Sequence, residues 1–311
     1  MKNDMTHSLN RSELRAIFAR HGIAPSHSLG QNFLVDGNVL RKIAGLLELE
    51  PSDTVCEVGP GLGALTRELS ARAGRVVAVE KDARLAPALR EVLGGAVAGT
   101  GGADAVGAPA DAESADGATA SGGCANTEIV TADFLEYDLD TLPRGYKLAG
   151  NLPYYITTPI IMKAAEADNM PSRMVFMMQR EVAERICAPP GGKDYGAVSV
   201  AVQYRCRAHY AMDVSAEVFM PKPRVDSAVI VIEPAHGHRG LAENEDVFRK
   251  TVRAGFGQRR KMLRNALSAL VPDAGALGAA FARAGVEGTA RAEALSVEQF
   301  IALSDEINGI I

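Results

Sequence analysis

Residues 151–154 read Asn-Leu-Pro-Tyr and follow the apolar stretch Leu148, Ala149 and Gly150. An amide, a ring-locked imide and a phenol in this order suit one chemical task, holding a flat heterocycle by its exocyclic amine. The lone pair of an adenine amine is delocalised into the ring, so the amine is a poor nucleophile. Two acceptors bonded to its two N–H groups favour a pyramidal nitrogen and expose that lone pair. The Asn151 side-chain oxygen can be one acceptor. The carbonyl of Pro153 or Leu152 can be the other, because proline fixes the turn that aims it. Tyr154 then offers a face for stacking, worth roughly 1–3 kcal/mol per base. A base that reaches such a site has left its own stack.

An amine made reactive in this way needs an electrophile. Residues 56–66, CEVGPGLGALT, place Gly59, Gly61 and Gly63 after an apolar strand pattern and before a helical one. Such a loop turns tightly, lets backbone approach a ligand, and aims helix N–H groups at it. Glu80 closes the next strand pattern, where a carboxylate can accept both hydroxyl protons of a ribose. That much fits a nicotinamide dinucleotide or S-adenosylmethionine. Two details favour the second. Glu57 stands two residues before the first glycine, which makes the phrase E-x-G-x-G-x-G. Asp133 follows the next strand pattern, where it can accept from an adenine N6 amine. A lone glycine pattern is weak evidence, but strand, loop, helix and two placed carboxylates together are not.

These residues need a scaffold. Residues 12–21 read as a helix opened by Ser12 and closed by Gly22, and Asp36 or Asn38 can cap a second helix to residue 47. Residues 54–58 and 76–79 read as buried strands, and residues 64–72 and 83–92 as helices. This βαβα order predicts a parallel α/β sheet. Strands are also expected at 128–130, 148–150, 198–205 and 225–232, and helices at 158–166, 179–186 and from about Asn244 onward. Gly and Ala make up most of residues 94–123. Such a stretch cannot bury enough apolar surface to offset its ordering entropy, so the interval 94–127 is expected to be a disordered insertion.

Composition narrows the class. The chain has 311 residues, 47% of them hydrophobic, and mean hydropathy +0.00, enough for a large and a small domain. No run approaches the roughly 18 apolar residues of a spanning helix, and the first residues lack the apolar segment of a secretory signal. Cys56, Cys124, Cys187 and Cys206 are scattered, which argues for reduced thiols in the cytoplasm and against a metal site. The net charge of −5 does not advertise a nucleic-acid binder. Across residues 180–265, however, Lys and Arg outnumber Asp and Glu, and charge placement matters more than the sum. A helix bearing Arg259, Arg260, Lys261 and Arg264 could bind phosphates.

With these phrases in place, the chain resembles the ribosomal RNA adenine N6,N6-dimethyltransferases, specifically those of the bacterial small subunit. The likeness rests on LGQNFL (29–34), EVGPGLGALT (57–66), VEKD (79–82), NLPYYITTP (151–159) and MQREVAERI (178–186). It continues through DYGAVSVAVQY (194–204), VFMPKPRVDSAV (218–229), FGQRRKMLRNAL (256–267) and RAEALSVEQF (291–300), and leaves out residues 94–127. The resemblance implies a Rossmann-like, seven-strand class I methyltransferase sheet over residues 1–235, with an N-terminal arm over 1–35. A small all-helical domain at 240–311 would bind RNA or the ribosome. It also implies that Asn32 and Leu34 contact the methyl donor, S-adenosylmethionine, and that Gly59 lies under its amino-acid end. Glu80 would take the ribose, Asp133 the adenine, and Asn151 both donor and target amine. Phe219 would lie opposite Tyr154 and sandwich a flipped adenine. The implied substrate is a pair of adjacent adenosines in the 3′-terminal hairpin loop of 16S ribosomal RNA, each methylated twice in an immature 30S subunit, by a monomer.

Three other functions compete. A 23S ribosomal RNA adenine methyltransferase conferring macrolide resistance would carry Ile in place of Leu152 and lack the RRKxLRN string at 259–265. A ribosome-assembly factor would depend on binding more than on chemistry, yet the Asn-Leu-Pro-Tyr phrase is intact. A nicotinamide oxidoreductase lacks any candidate proton donor near the glycine loop.

Overall fold

The computed structural model describes residues 9–26, 29–94, 98–100, 124–235 and 240–311. Helix α1 (Arg11–His21) is opened by Asn10 and not by Ser12. The Asn10 side-chain oxygen accepts from the N–H groups of Ser12 and Glu13, and the Glu13 carboxylate accepts from the Asn10 N–H in return. The short strand β1 (Phe33–Leu34) leads to α2 (Gly37–Leu46), capped by Asp36, whose carboxylate reaches the N–H groups of Asn38 and Val39.

The α/β core follows in the order β2 (Thr54–Val58), α3 (Ala64–Ser70), β3 (Arg75–Glu80), α4 (Ala86–Val92), β4 (Ala98–Thr100) and β5 (Thr127–Thr131). It continues with β6 (Lys147–Asn151), α5 (Thr157–Glu166), β7 (Arg173–Gln179), α6 (Arg180–Cys187), α7 (Ala197–Arg205), β8 (Cys206–Val214), β9 (Phe219–Met220) and β10 (Ser227–Pro234). Helices α8 (Glu245–Gly257), α9 (Leu263–Leu267), α10 (Ala274–Arg283) and α11 (Val297–Asn308) end the chain.

One sheet runs β4-β5-β3-β2-β6-β7-β10-β8. Strands β4 to β7 are mutually parallel, and β10 is antiparallel to both of its neighbours. Seven of these strands make the expected methyltransferase sheet, and β4 adds a three-residue edge. That edge falls inside the interval read as a disordered insertion. Backbone pairing with residues 128–130 orders it despite its small side chains. The far end of the interval is anchored as well: the Asn126 amide donates to the carbonyls of Ser70 and Ala73, at 3.0 and 2.8 Å. Residues 95–97 and 101–123 of the interval lie outside the described residues.

Strand β2 sits at the point where the order reverses, with β3 on one side and β6 on the other. In such sheets a crevice opens beyond the carboxyl ends of the strands at the switch. The strands are apolar on both faces, as burial between helical layers demands. Met174, Phe176 and Met178 of β7 join the core beneath α5, α6 and α7, while Val175 and Met177 join the opposite core beneath α2 and α3.

Residues 198–205 are helical, not the expected strand. The β-branched alternation of Val198, Val200 and Val202 misleads because α7 is buried on two sides. Val202 packs into the sheet core, while Val200 and Tyr204 pack into the core of the C-terminal helices. The Ser199 hydroxyl accepts the Gly196 N–H at 2.9 Å and closes the first turn. Tertiary packing outweighs the modest strand preference of valine. The strand is the next segment, β8, whose outward polar residues gave no apolar alternation. Tyr204 also stacks on Phe248 at 4.2 Å and accepts the Ala242 N–H at 3.0 Å, which ties the C-terminal helices to the sheet domain. Among the described residues, no helix is long and apolar enough to cross a membrane.

Candidate active site

The crevice beyond β2 is a cleft open to solvent. It gathers Asn32, Leu34, Gly59, Glu80, Asp133, Asn151 and Pro153 from five separate segments of the chain. The loop after β2 takes the left-handed conformation at Gly59, with φ 66°, and at Gly63, with φ 79°. A Cβ on Gly63 would lie 2.8 Å from a Leu89 methyl, so the loop packs tightly on α4 there. A Cβ on Gly59 would meet nothing within 4 Å, so backbone is laid open to the cleft at that point.

Two buried carboxylates face this loop. Glu80 is 6% exposed, and its oxygens accept the N–H groups of Gly61 at 3.0 Å and Asp82 at 2.8 Å. Burial pushes its carboxyl up to about 7. Glu57 is 2% exposed, and burial, reinforced by the Glu80 charge, pushes it up to about 8. Its Oε2 has no hydrogen-bond partner among the described residues. A buried, unsatisfied carboxylate oxygen lining a cleft costs free energy unless a cationic or N–H-bearing ligand supplies the missing partner. Sequence reasoning gave Glu57 no role of its own. Its signal was an acid inside an otherwise apolar strand, two residues before the first glycine.

Asp133 lies at the rim, where its Oδ1 accepts the Leu135 N–H at 3.0 Å. The Lys81 ammonium, 2.6 Å from Oδ2, holds its carboxyl below the usual carboxylate range.

Asn151 ends β6 at the same crevice. Its Nδ2 donates to the Asn32 backbone carbonyl at 2.9 Å. A carbonyl can only accept, so this contact fixes the amide's orientation and leaves Oδ1 without a hydrogen-bond partner among the described residues. Asn32 is set in turn by its own side chain, which donates to the Gly30 carbonyl at 3.1 Å. The Pro153 carbonyl is not the second acceptor. It already accepts from the Ile156 N–H at 3.2 Å and the Thr157 hydroxyl at 3.1 Å, because it closes the first turn of α5. Of the two carbonyls considered, that leaves Leu152, whose N–H is engaged with the Met177 carbonyl at 2.9 Å.

A profile described as ribosomal RNA adenine dimethylase matches residues 25–97 and 120–309. The chain is 41% identical over 300 residues to the ribosomal RNA small subunit methyltransferase A of Moorella thermoacetica, covering 93% of this chain and 94% of that protein. It is 42% identical over 306 residues to the protein of the same name from Pelotomaculum thermopropionicum, covering 94% of each. The chain belongs to the ribosomal RNA adenine dimethylase family. It is an S-adenosylmethionine-dependent methyltransferase that acts on ribosomal RNA adenine. Among solved structures it is similar to the 23S rRNA methyltransferase ErmE, with TM-score 0.63 and 28% identity over 89% of this chain and 99% of that one. It shares its fold with a dimethyladenosine transferase from Plasmodium falciparum, with TM-score 0.69 and 21% identity over 87% of this chain and 95% of that one.

Several expected site residues sit elsewhere than the family resemblance implied. Phe219 is 1% exposed and packs in the core with Leu34 and Val229, so it presents no face for stacking in this structure. The cause is the pairing of β9 with β1, which sets Phe219 beside Leu34. Tyr154 is half-buried, with its hydroxyl 3.0 Å from that of Ser227, and lies outside the residues lining the cleft. Arg259, Arg260 and Lys261 do not lie on a helix. They form the turn between α8 and α9, and Arg264 alone is helical. Arg259 is committed to the protein: it donates to the carbonyls of Lys193 and Tyr195 at 2.7 and 3.0 Å and pairs with Glu293.

Proposed function

We propose that the protein transfers methyl groups from S-adenosylmethionine to N6 of two adjacent adenosines in the 3′-terminal hairpin loop of 16S ribosomal RNA. Each adenosine receives two. It acts as a monomer, in the cytoplasm, on immature 30S subunits. The observation that carries this reading is the orientation of the Asn151 amide, whose Nδ2 is held by the Asn32 carbonyl so that Oδ1 is turned away from that bond at the donor cleft.

The residues fit the donor. Glu80 accepts from the ribose hydroxyls and Asp133 from the adenine amine. The orphaned Glu57 oxygen suits the ammonium of the amino-acid end, and the open space over Gly59 lets that end lie on backbone. When bound, S-adenosylmethionine supplies a methyl group on a sulfonium, an electrophile strong enough that no base is needed before transfer. The protein's task is then alignment and dehydration. Asn151 Oδ1 and the Leu152 carbonyl accept the two N–H bonds of the target amine and turn its lone pair toward the cleft. Phe219 shapes the site from within the core. A singly methylated amine keeps one N–H, so the second transfer needs only one of the two acceptors.

The small-subunit reading is preferred over a 23S substrate because the relatives at 41% and 42% identity carry small-subunit names, whereas the 23S enzyme is similar at 28%. Mass spectrometry of ribosomal RNA from cells with and without the gene tests it. Loss of two dimethyladenosines from small-subunit RNA is expected; loss from large-subunit RNA alone would favour the rival.

Glu57 and Glu80 make donor binding depend on pH. Both partners favour the ionised carboxylates, whereas in the free protein burial holds the two groups up to about 8 and about 7. Affinity for S-adenosylhomocysteine should therefore rise with pH and level off above about 8. Calorimetry in buffers of different ionisation enthalpy should show proton release at pH 7, and a flat affinity from pH 6 to 8.5 would contradict the assignment. The same burial acts oppositely on stability. The native state keeps protons that the unfolded chain loses above 4.5, so the free protein becomes less stable as pH rises toward about 8.

A further inference from the structure

We propose that Lys81 is a specificity-determining residue of the donor site. It pins the Asp133 carboxylate at the rim, so that the cleft accepts a base with an exocyclic amine and rejects one with a carbonyl at that position. The inference deepens the reading above and rests on Asp133 meeting the base of the donor.

Lys81 follows directly after Glu80, at the carboxyl end of β3, and Asp133 stands two residues past β5, the neighbouring strand. The two side chains meet across the ends of these strands, with Lys81 Nζ 2.6 Å from Asp133 Oδ2, and both line the cleft. The other oxygen, Oδ1, accepts the Leu135 N–H at 3.0 Å. That backbone segment is held from its far side, because Lys163 donates to the Leu135 carbonyl at 2.8 Å. The carboxylate is thus fixed by donors from two strand ends, with one bond to each oxygen. Each oxygen keeps a lone pair for a ligand N–H.

This ion pair has little to do with stability. The Lys81 side chain is 52% exposed, and an ion pair with so exposed a partner contributes little to stability. Its effect is on geometry and charge. An adenine amine brings two N–H donors to the rim. Hypoxanthine brings a carbonyl whose lone pairs face those of the carboxylate. That mismatch discriminates only while the carboxylate is ionised and cannot rotate away. Without Lys81, Asp133 keeps the Leu135 contact but can swing about it toward solvent.

The test is equilibrium binding of S-adenosylhomocysteine and S-inosylhomocysteine to the full chain by calorimetry. Four proteins are compared: wild type, Lys81→Met, Lys81→Arg and Asp133→Asn. The wild type is expected to prefer the adenosyl compound by at least roughly 10²-fold, since sites built to hydrogen-bond a ligand N–H can reject the analogue lacking it by up to about 10⁴–10⁵-fold. Lys81→Met should shrink the preference at least tenfold, and Lys81→Arg should restore most of it. A residue that merely supported the fold would change both affinities together and leave their ratio alone. If Asp133→Asn abolishes the preference while Lys81→Met keeps or widens it, the proposal is overturned; widening would mean that the ammonium serves the carbonyl of the inosyl base. If Asp133→Asn itself leaves the ratio at the wild-type value, Asp133 does not meet the base, and it is the underlying donor reading that falls.

Discussion

Replacing Asn151 with alanine is expected to lower the single-turnover rate of methyl transfer by roughly 10²–10³-fold at saturating donor, the usual cost of removing one preorganised polar group from a transition state. The target nitrogen changes from planar to pyramidal as it attacks. The bond from its N–H to Asn151 Oδ1 strengthens along that path, because the N–H becomes more acidic as positive charge develops on nitrogen. An interaction gained mainly in the transition state raises turnover more than affinity. Donor binding should weaken by a smaller factor, since the Asn151 amide also steadies the Asn32 carbonyl in the segment that closes the cleft. Asn151→Asp is the informative companion. It keeps an acceptor but loses the donor to Asn32, so it should recover part of the chemistry and none of the arm's restraint. A variant Asn151→Ala that methylates immature 30S subunits at the wild-type rate would remove the clamp from the mechanism.

The second large effect concerns the turn between α8 and α9. Replacing Arg260, Lys261 and Arg264 together with alanine should make the salt dependence of RNA binding shallower by about 2 in log–log slope, and weaken binding at 0.1 M salt by roughly 10²-fold. Each cation at a phosphate displaces a condensed counterion, and three lost contacts remove most of three released ions. All three side chains are exposed. Arg259 is left out on purpose. Its guanidinium clamps the turn to the segment before α7 through the carbonyls of Lys193 and Tyr195. Arg259→Ala should lower the thermal midpoint and leave the salt slope unchanged. Binding to small subunits across a salt series, read beside thermal melts, separates the two roles. A triple variant with the wild-type slope would place the RNA contact elsewhere.

The residues that meet in the candidate donor cleft were legible in the sequence because each is set by a local signal. Gly59, Gly61 and Gly63 come directly after a strand, Glu80 and Asp133 at or just past strand ends, and Asn151 as the last residue of β6. In a parallel sheet every strand delivers its carboxyl end to the same edge, so residues far apart in the chain meet whenever each is read correctly as a strand terminus. Period and punctuation suffice for that. The starts of α2 and α8 were readable for the same reason: Asp36, one of the two caps expected for α2, and Asn244, where the C-terminal helices were expected to begin, each bond N–H groups two and three residues away.

What the tertiary structure alone decided depends on partners distant in sequence. Helix α7 carries a strand-like valine pattern, and only its position between two cores makes it helical. Phe219 looked like an aromatic free to stack until β9 paired with β1 and turned it inward beside Leu34. The Pro153 carbonyl was a plausible acceptor until α5 was seen to use it. Arg259, Arg260, Lys261 and Arg264 read as one helix, but α8 ends at Gly257 and Arg259 is bound to backbone of another element. Short motifs report which groups are available and in what order along the chain. Whether a group is free for a ligand depends on every other group competing for its lone pairs and protons, and that competition is settled only when the chain has folded.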